Sequence, residues 1–283
     1  MSKATLLPTL LIALTVQSGS SESDPRSLTV LTFNIRYGTA KDEGHSWEVR
    51  KEAVAEVLRE HRPDLTGLQE ALDFQVEYLQ DRLGREYSLV GEGREGGMEG
   101  EFAPIFYRSD RFVLARAGRF WLSDTPEVVG SKTWASLPRI VTWVELFDRV
   151  AQRRLLVLNT HWAHDSDEAR LKSAKLVRDR VGALAADETP VILMGDFNCA
   201  PDSEPYRILV NGGAQTFEDS LSAPNSEAKS TFHGFRGRGN ERGPIDWILY
   251  RGDFGPKEYR VLEGEYLEQL PSDHYPVFAR FDR

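Results

Sequence analysis

The chain has one cysteine, Cys199, so no disulfide can form within it and packing and hydrogen bonds must hold the fold. Positive charge is also scarce. The 35 Lys and Arg face 44 Asp and Glu, a formal net charge of −9. Such a chain does not hold nucleic acid through a general positive field, although a local arginine patch or a bound cation still permits a nuclease. The apolar run of residues 4–16 stops short of the ~20 residues that a membrane span needs. No Cys/His cluster has zinc spacing. No Pro/Ser-rich linker divides the chain, and no repeat of about 20–50 residues appears.

What remains is a chain of 283 residues with ordinary globular composition, 40% hydrophobic and 28% charged. Lys3, the apolar run to Val16 and the small residues around Ser18 and Ser20 predict a secretory signal peptide over residues 1–20. No cysteine follows that run, which argues against a lipoprotein anchor. The expectation is one mature domain over residues 21–283, exported to the periplasm or beyond, with no membrane span after signal removal and no partner protein evident.

Strand and helix periods alternate along that domain. Residues 27–38, 64–70, 102–108, 111–123, 139–147, 153–162, 191–195, 245–252 and 275–281 read as strands, rich in β-branched and aromatic residues. A short strand is expected in EYSLVG, followed by a glycine- and glutamate-rich loop over 91–101. Helical spacing appears in 47–61, in 73–84 (closed by Gly84), in 167–186 and in 205–213. Strands in runs, with helices after the first two and before VILMG, predict an α/β domain of two face-to-face sheets with helices outside.

Polar residues end several of these apolar strands. Asn34 closes TFN, Glu70 follows LQ, His161 closes LNTH, and Asp196 and Asn198 follow VILMG. Asp246 enters IDWIL, while Asp273 and His274 precede the last strand. Each alone reads as a turn former, a solvated charge or a core histidine. Together they are chemically complementary groups at the strand ends of a rigid scaffold, where functional groups are carried.

The series FNIR, LQE, NTHW, GDFN, IDWIL and SDHYPV resembles the endonuclease/exonuclease/phosphatase superfamily over residues 27–282. The resemblance implies a four-layer α/β/β/α sandwich of two mainly antiparallel sheets with outer helices. It also implies a divalent-metal-dependent phosphohydrolase that cleaves phosphodiester or phosphomonoester bonds by in-line attack of water. In this resemblance Glu70 and Asp273 are metal ligands, and Asn34 holds the metal-site network or a phosphate oxygen. Asp196 orients or deprotonates the water, and Asn198 fixes its geometry. His274 contacts the scissile phosphate and is oriented by Asp246, while His161 is a second phosphate-side histidine. Arg139 opens its strand where relatives place a substrate-facing arginine. Carboxylate donors without thiols favour Mg2+ or Mn2+.

A small phosphoester suits the acidic charge. The alternatives are a nuclease, either a deoxyribonuclease-like endonuclease or a deadenylase-like 3′-5′ exonuclease, and a catalytically silent binding protein. Exonuclease III-like enzymes carry an acid two residues after the first Asn, where this chain has Arg36. Trp121, Trp134 and Trp162 are candidates for stacking on a base or sugar. His45, His164 and His233, with the arginines at 236, 238 and 242, are candidates for the rim of the site. Cys199 reads as packing, not as a nucleophile.

Overall fold

The computed structural model describes residues 26–282, apart from 187, 212, 214–215 and 238–242. The expected signal peptide, and Arg238 and Arg242 of the glycine/arginine loop, lie outside the described residues.

The strands are β1 (Leu28–Asn34), β2 (Leu65–Gln69), β3 (Tyr87–Val90), β4 (Ile105–Arg108), β5 (Phe112–Trp121) and β6 (Ile140–Asp148). They continue as β7 (Arg153–His161), β8 (Val191–Asp196), β9 (Glu218–Asp219), β10 (Asp246–Arg251), β11 (Gly255–Val261) and β12 (Val277–Asp282). The helices are α1 (Trp47–His61), α2 (Asp73–Leu83), α3 (Asp167–Leu184) and α4 (Glu204–Val210). One sheet runs β11-β12-β1-β2-β4-β3 and the other β5-β6-β7-β8-β10-β9. Only β1/β2 and β7/β8 pair in parallel; every other pairing is antiparallel.

Period two builds the layers. Val30 of β1 joins Val157, Ile192 and Ile248 in the core between the sheets. Its neighbours Leu31 and Phe33 turn outward, onto Val54, Leu58 and Leu79 of α1 and α2. In β7, Val157 points inward while Leu156 and Leu158 pack on Ala174, Val177 and Val181 of α3. The result is the expected four-layer α/β/β/α sandwich. No helix among the described residues is long and apolar enough to cross a membrane.

Towards the strand ends the space between the sheets becomes polar. Gln69 donates to Thr32 Oγ1 at 3.0 Å and to Asn159 Oδ1 at 2.7 Å. Asn159 donates to the carbonyls of Leu68 at 2.7 Å and Pro104 at 2.8 Å. Gly67 makes room for this bridge, since a Cβ there would lie 2.6 Å from Asn159 Oδ1. The three bonds that Asn159 makes tie the two sheets together at that end, although Gln69 Oε1 itself has no partner.

Two strands escape the sequence pattern, β11 and the two-residue β9. β11 pairs with the edge of the first sheet, yet GPKEYRV carries a proline and mostly exposed polar side chains. An edge strand needs no apolar alternation, so it leaves no period-two signal.

Candidate active site

The site forms where β1, β2, β7, β8 and β10 end together. In the second sheet His161 pairs in register with Asp196, and Asp196 with Asp246. Three functional side chains therefore sit in a row across three strands. In the first sheet Asn34 pairs with Gln69, and Glu70 follows directly. Glu70 has φ 60°, Arg36 57° and Asn198 52°. Left-handed conformations cost a side-chain-bearing residue about 1 kcal/mol each, and they turn the chain sharply just past the strand.

The GDFN motif divides its work among four residues. A Cβ on Gly195 would lie 2.2 Å from Thr160 O, so only glycine lets β8 lie against β7 here. Phe197 is fully buried and stacks on Trp247 at 4.4 Å between ring centroids. Asn198 donates to Trp162 O at 3.1 Å, and its own N–H reaches Asp196 Oδ1 at 2.9 Å.

Asp196 is the centre. Its Oδ2 accepts from Asn34 Nδ2 at 2.9 Å, and the same amide nitrogen reaches Glu70 Oε1 at 3.0 Å. Two imidazoles face that oxygen, His161 Nε2 at 3.5 Å and His274 Nε2 at 3.8 Å. His274 Nδ1 bonds Asp246 Oδ2 at 2.9 Å. Burial, and then the charge of Asp246, raises the Asp196 pKa above the ordinary carboxylate range. Burial alone would lower His274, but Asp246 outweighs it and pushes the imidazole up to about 10. His161 is held well below its ordinary value by burial and by Arg139 and Arg94. One histidine is thus a cation at neutral pH and the other is neutral.

The supporting shell is polar and pinned. Thr231 Oγ1 accepts from the N–H groups of Ile245 at 3.0 Å and Asp246 at 3.3 Å, and Thr231 O accepts from Tyr275 at 2.7 Å. Ser272 Oγ donates to Asn34 O at 2.7 Å. Buried Arg50 of α1 donates to the carbonyls of Ile35, Arg36 at 2.7 Å and Pro271 at 3.0 Å, tying β1's end to the segment that carries Asp273 and His274.

A cleft of about 1080 Å³ opens over these groups. Glu70, Arg139, His161, Asp196, Asn198, Asp273 and His274 line it, while Asn34 and Asp246 stand behind it and bond its lining. All nine predicted site residues are therefore brought together. Arg36 lies between the two carboxylates predicted to hold metal, 4.0 Å from Glu70 and 3.7 Å from Asp273, and is bound by Asp42 at 2.9 Å.

Other sequence-based expectations are corrected. Trp121 and Trp162 are core residues, 2% and 0% exposed, and Trp134 packs against the α3 layer, so none of the three lines the cleft. Tyr37, Leu137, Ala200, Phe232 and Ile245 are among its aromatic and apolar lining instead. His45 stacks on Phe235 and His233 on Tyr275, both outside the lining, whereas His164 lines it and accepts from Arg139 at 2.9 Å. Burial pushes the Cys199 thiol up to about 12, consistent with packing. Arg94 and Glu101 also line the cleft. They come from the glycine-rich loop, where no strand or helix period marks a functional position.

The Endonuclease/Exonuclease/phosphatase family profile matches residues 31–274. A mannosyl-6-phosphatase from Bacteroides thetaiotaomicron VPI-5482 superposes with a TM-score of 0.83 at 32% identity, covering 90% of this chain and 99% of that one. An endonuclease/exonuclease/phosphatase from Bacteroides vulgatus gives 0.84 at 32% identity, covering 90% and 98%. The catalytic domain of human Nocturnin, at 20% identity and a TM-score of 0.71 over 90% and 94% of the two chains, shares the fold. Among curated relatives, the CCR4-Not complex 3′-5′-exoribonuclease subunit Ccr4 of Aspergillus niger is 23% identical across 95% of this chain and 54% of its own length. The chain spans about half the length of the Ccr4 relatives it matches.

Proposed function

Since the chain belongs to the endonuclease/exonuclease/phosphatase family and is a phosphoric ester hydrolase, we propose that it cleaves a small phosphoester, a sugar phosphate in particular, outside the cytoplasm with Mg2+ or Mn2+. The observation that carries this reading is Asp196, a buried carboxylate with a raised pKa, faced by one cationic and one neutral imidazole at the floor of the cleft. The likeness to a mannosyl-6-phosphatase supports the substrate class. The apolar run before residue 20 supports export.

Glu70 and Asp273 are the cation's ligands in this reading. Glu70 accepts from Asn34 and from the N–H of Tyr37 at 3.1 Å, which fixes it and leaves lone pairs on both oxygens. Burial, and Glu70's charge against the pull of His274, raise the pKa of Asp273, as expected for two acids that a hard cation would neutralise. Asp196, Asp246 and His274 also bring three ligand atoms within 4.8 Å of one another. His274 Nδ1 is engaged by Asp246, and in this reading the trio is assigned to catalysis, with Asp246 orienting the imidazole. When bound by Glu70 and Asp273, a divalent cation would supply charge stabilisation and lower the pKa of water.

The chain's own groups perform the rest. Asp196 takes the proton of the attacking water, held in place by Asn34 and the Asn198 N–H. The water oxygen bonds to phosphorus and the ester P–O bond breaks, its electron pair leaving on the ester oxygen. That oxygen takes up a proton from solvent, giving an alcohol and phosphate. His274, cationic, and Arg139 stabilise the charge on the non-bridging oxygens.

Hydrolysis of mannose 6-phosphate, bis-(p-nitrophenyl) phosphate, plasmid DNA and poly(A), with and without Mg2+, tests the reading. Metal-dependent turnover of the small esters is expected. Asp196→Asn lowers kcat by about 100-fold or more without unfolding the protein. Glu70→Gln chiefly raises the Mg2+ concentration required. Preference for DNA or poly(A) would replace this reading with a nuclease, and full activity in both variants would refute the site.

A further inference from the structure

Two arginines on the cleft wall are buried with donors that no acceptor meets. Arg94 is 8% and Arg139 5% exposed. The Nε of Arg94 and the Nε and Nη1 of Arg139 have no hydrogen-bond partner. Arg94 donates to Glu101 Oε2 at 2.6 Å, and Arg139 to His164 Nδ1 at 2.9 Å, so Glu101 is the one carboxylate bonded to this pair, while Asp196 and Glu70 act on Arg139 without a hydrogen bond. Buried cationic donors left without acceptors are costly, and they fit an anion that arrives with the substrate.

Arg94 is fixed in place by its loop. Its N–H donates to Glu101 O at 2.9 Å, and its carbonyl accepts from Trp121 Nε1 at 2.6 Å. Gly96, Gly97 and Gly100 take positive φ values that close the turn beneath it. Between Arg94 and Arg139 lies a hollow of about 10 Å³, bounded also by Glu101, His161, Phe102, Ala103 and Ile140, so an anion there has the Glu101 carboxylate as a neighbour. That is room for about one water-sized oxygen. Arg94, Arg139 and His161 also line the main cleft, so the hollow adjoins the place where Asp196 acts.

We propose that this hollow receives a non-bridging oxygen of a terminal phosphoryl group, and that Arg94 thereby makes the chain select phosphomonoesters over phosphodiesters; this rests on the phosphohydrolase reading above. A monoester dianion presents three bare oxygens and two charges. A diester presents two bare oxygens, one charge and a second carbon substituent. A space for a single oxygen, walled by buried Phe102 and Ile140, admits one bare oxygen of either ester, so the choice rests on charge, which is greater per oxygen on the dianion. Arg139 answers one charge of the dianion, and Arg94 answers the other.

The test compares p-nitrophenyl phosphate with bis-(p-nitrophenyl) phosphate, alongside calorimetric binding of inorganic phosphate without metal. The wild-type protein is expected to prefer the monoester. Arg94→Met should lower kcat/KM for the monoester by about tenfold or more, mainly through KM, with a smaller loss on the diester and phosphate binding weakened in step. Glu101→Gln keeps Arg94 and removes the carboxylate that competes for it, so phosphate should bind several-fold tighter. Equal losses on both esters, or no change in phosphate binding in either variant, would overturn the proposal. Turnover of neither ester, with phosphate binding that still depends on Arg94, defeats the hydrolase reading and keeps the hollow. Turnover of both esters that is indifferent to Arg94 does the reverse.

Discussion

Asp246 does not line the cleft, yet it sets the protonation of two residues that do. It raises His274 to about 10 against the pull of burial, and adds to burial in raising Asp196. In the proposed mechanism activity needs Asp196 ionised and His274 protonated. It should therefore fall as pH drops through the raised Asp196 pKa, and again as pH climbs through about 10. Because the folded His274 value lies above its ordinary 6.5, its stabilising contribution is complete below 6.5 and is lost through about 10. In Asp246→Asn both limbs of the kcat/KM profile should move to lower pH, the alkaline limb most. Unmoved limbs in that variant would remove Asp246 from this role. At this scale the sequence was informative wherever an acid, amide or histidine interrupts an apolar strand. It was silent on Arg94 and Glu101, because a loop of glycines and glutamates gives every charge the same solvated look.

Strand ends carry the chemistry, but other elements hold those ends together. Arg50 reaches from α1 to three carbonyls on the site's backbone, and burial lowers its pKa to about 10. Arg50→Met keeps much of the packing and takes the guanidinium donor from all three carbonyls, of which Arg36 O keeps only Gln75 Nε2. A loss of about 3 kcal/mol in urea unfolding is expected, with kcat falling alongside as Asn34 and His274 drift apart. A change below about 0.5 kcal/mol would mean solvent replaces these bonds without cost. In sequence Arg50 is one polar residue on a helix face. The same limit hid β11, whose polar edge register leaves no alternation to read.

Across the whole molecule, charge bears on the choice between substrate classes. The net charge of −9 surrounds a cleft whose lining carries Arg36, Arg94, Arg139 and Arg170 beside five acids. Turnover of a small ester should change little between about 50 and about 200 mM salt, whereas a nuclease gripping several phosphates would lose orders of magnitude. A steep salt dependence measured on p-nitrophenyl phosphate would count against a small substrate bound through one phosphoryl group.

The sequence by itself determined the layers and the identity of the main site residues. Apolar alternation decides which faces are buried, and a polar group that breaks it at a strand end is visible without coordinates. The tertiary structure decided what those groups do to one another. Asp196 meets Asn34 from 162 residues away, and the distances between them are set by sheet register and by the Gln69–Asn159 bridge, not by any local rule. The protonation of Asp196 and His274, the burial of the tryptophans and the unmet donors of Arg94 and Arg139 all follow from that packing. Each depends on how much water the folded chain excludes, and a one-dimensional pattern does not carry that quantity.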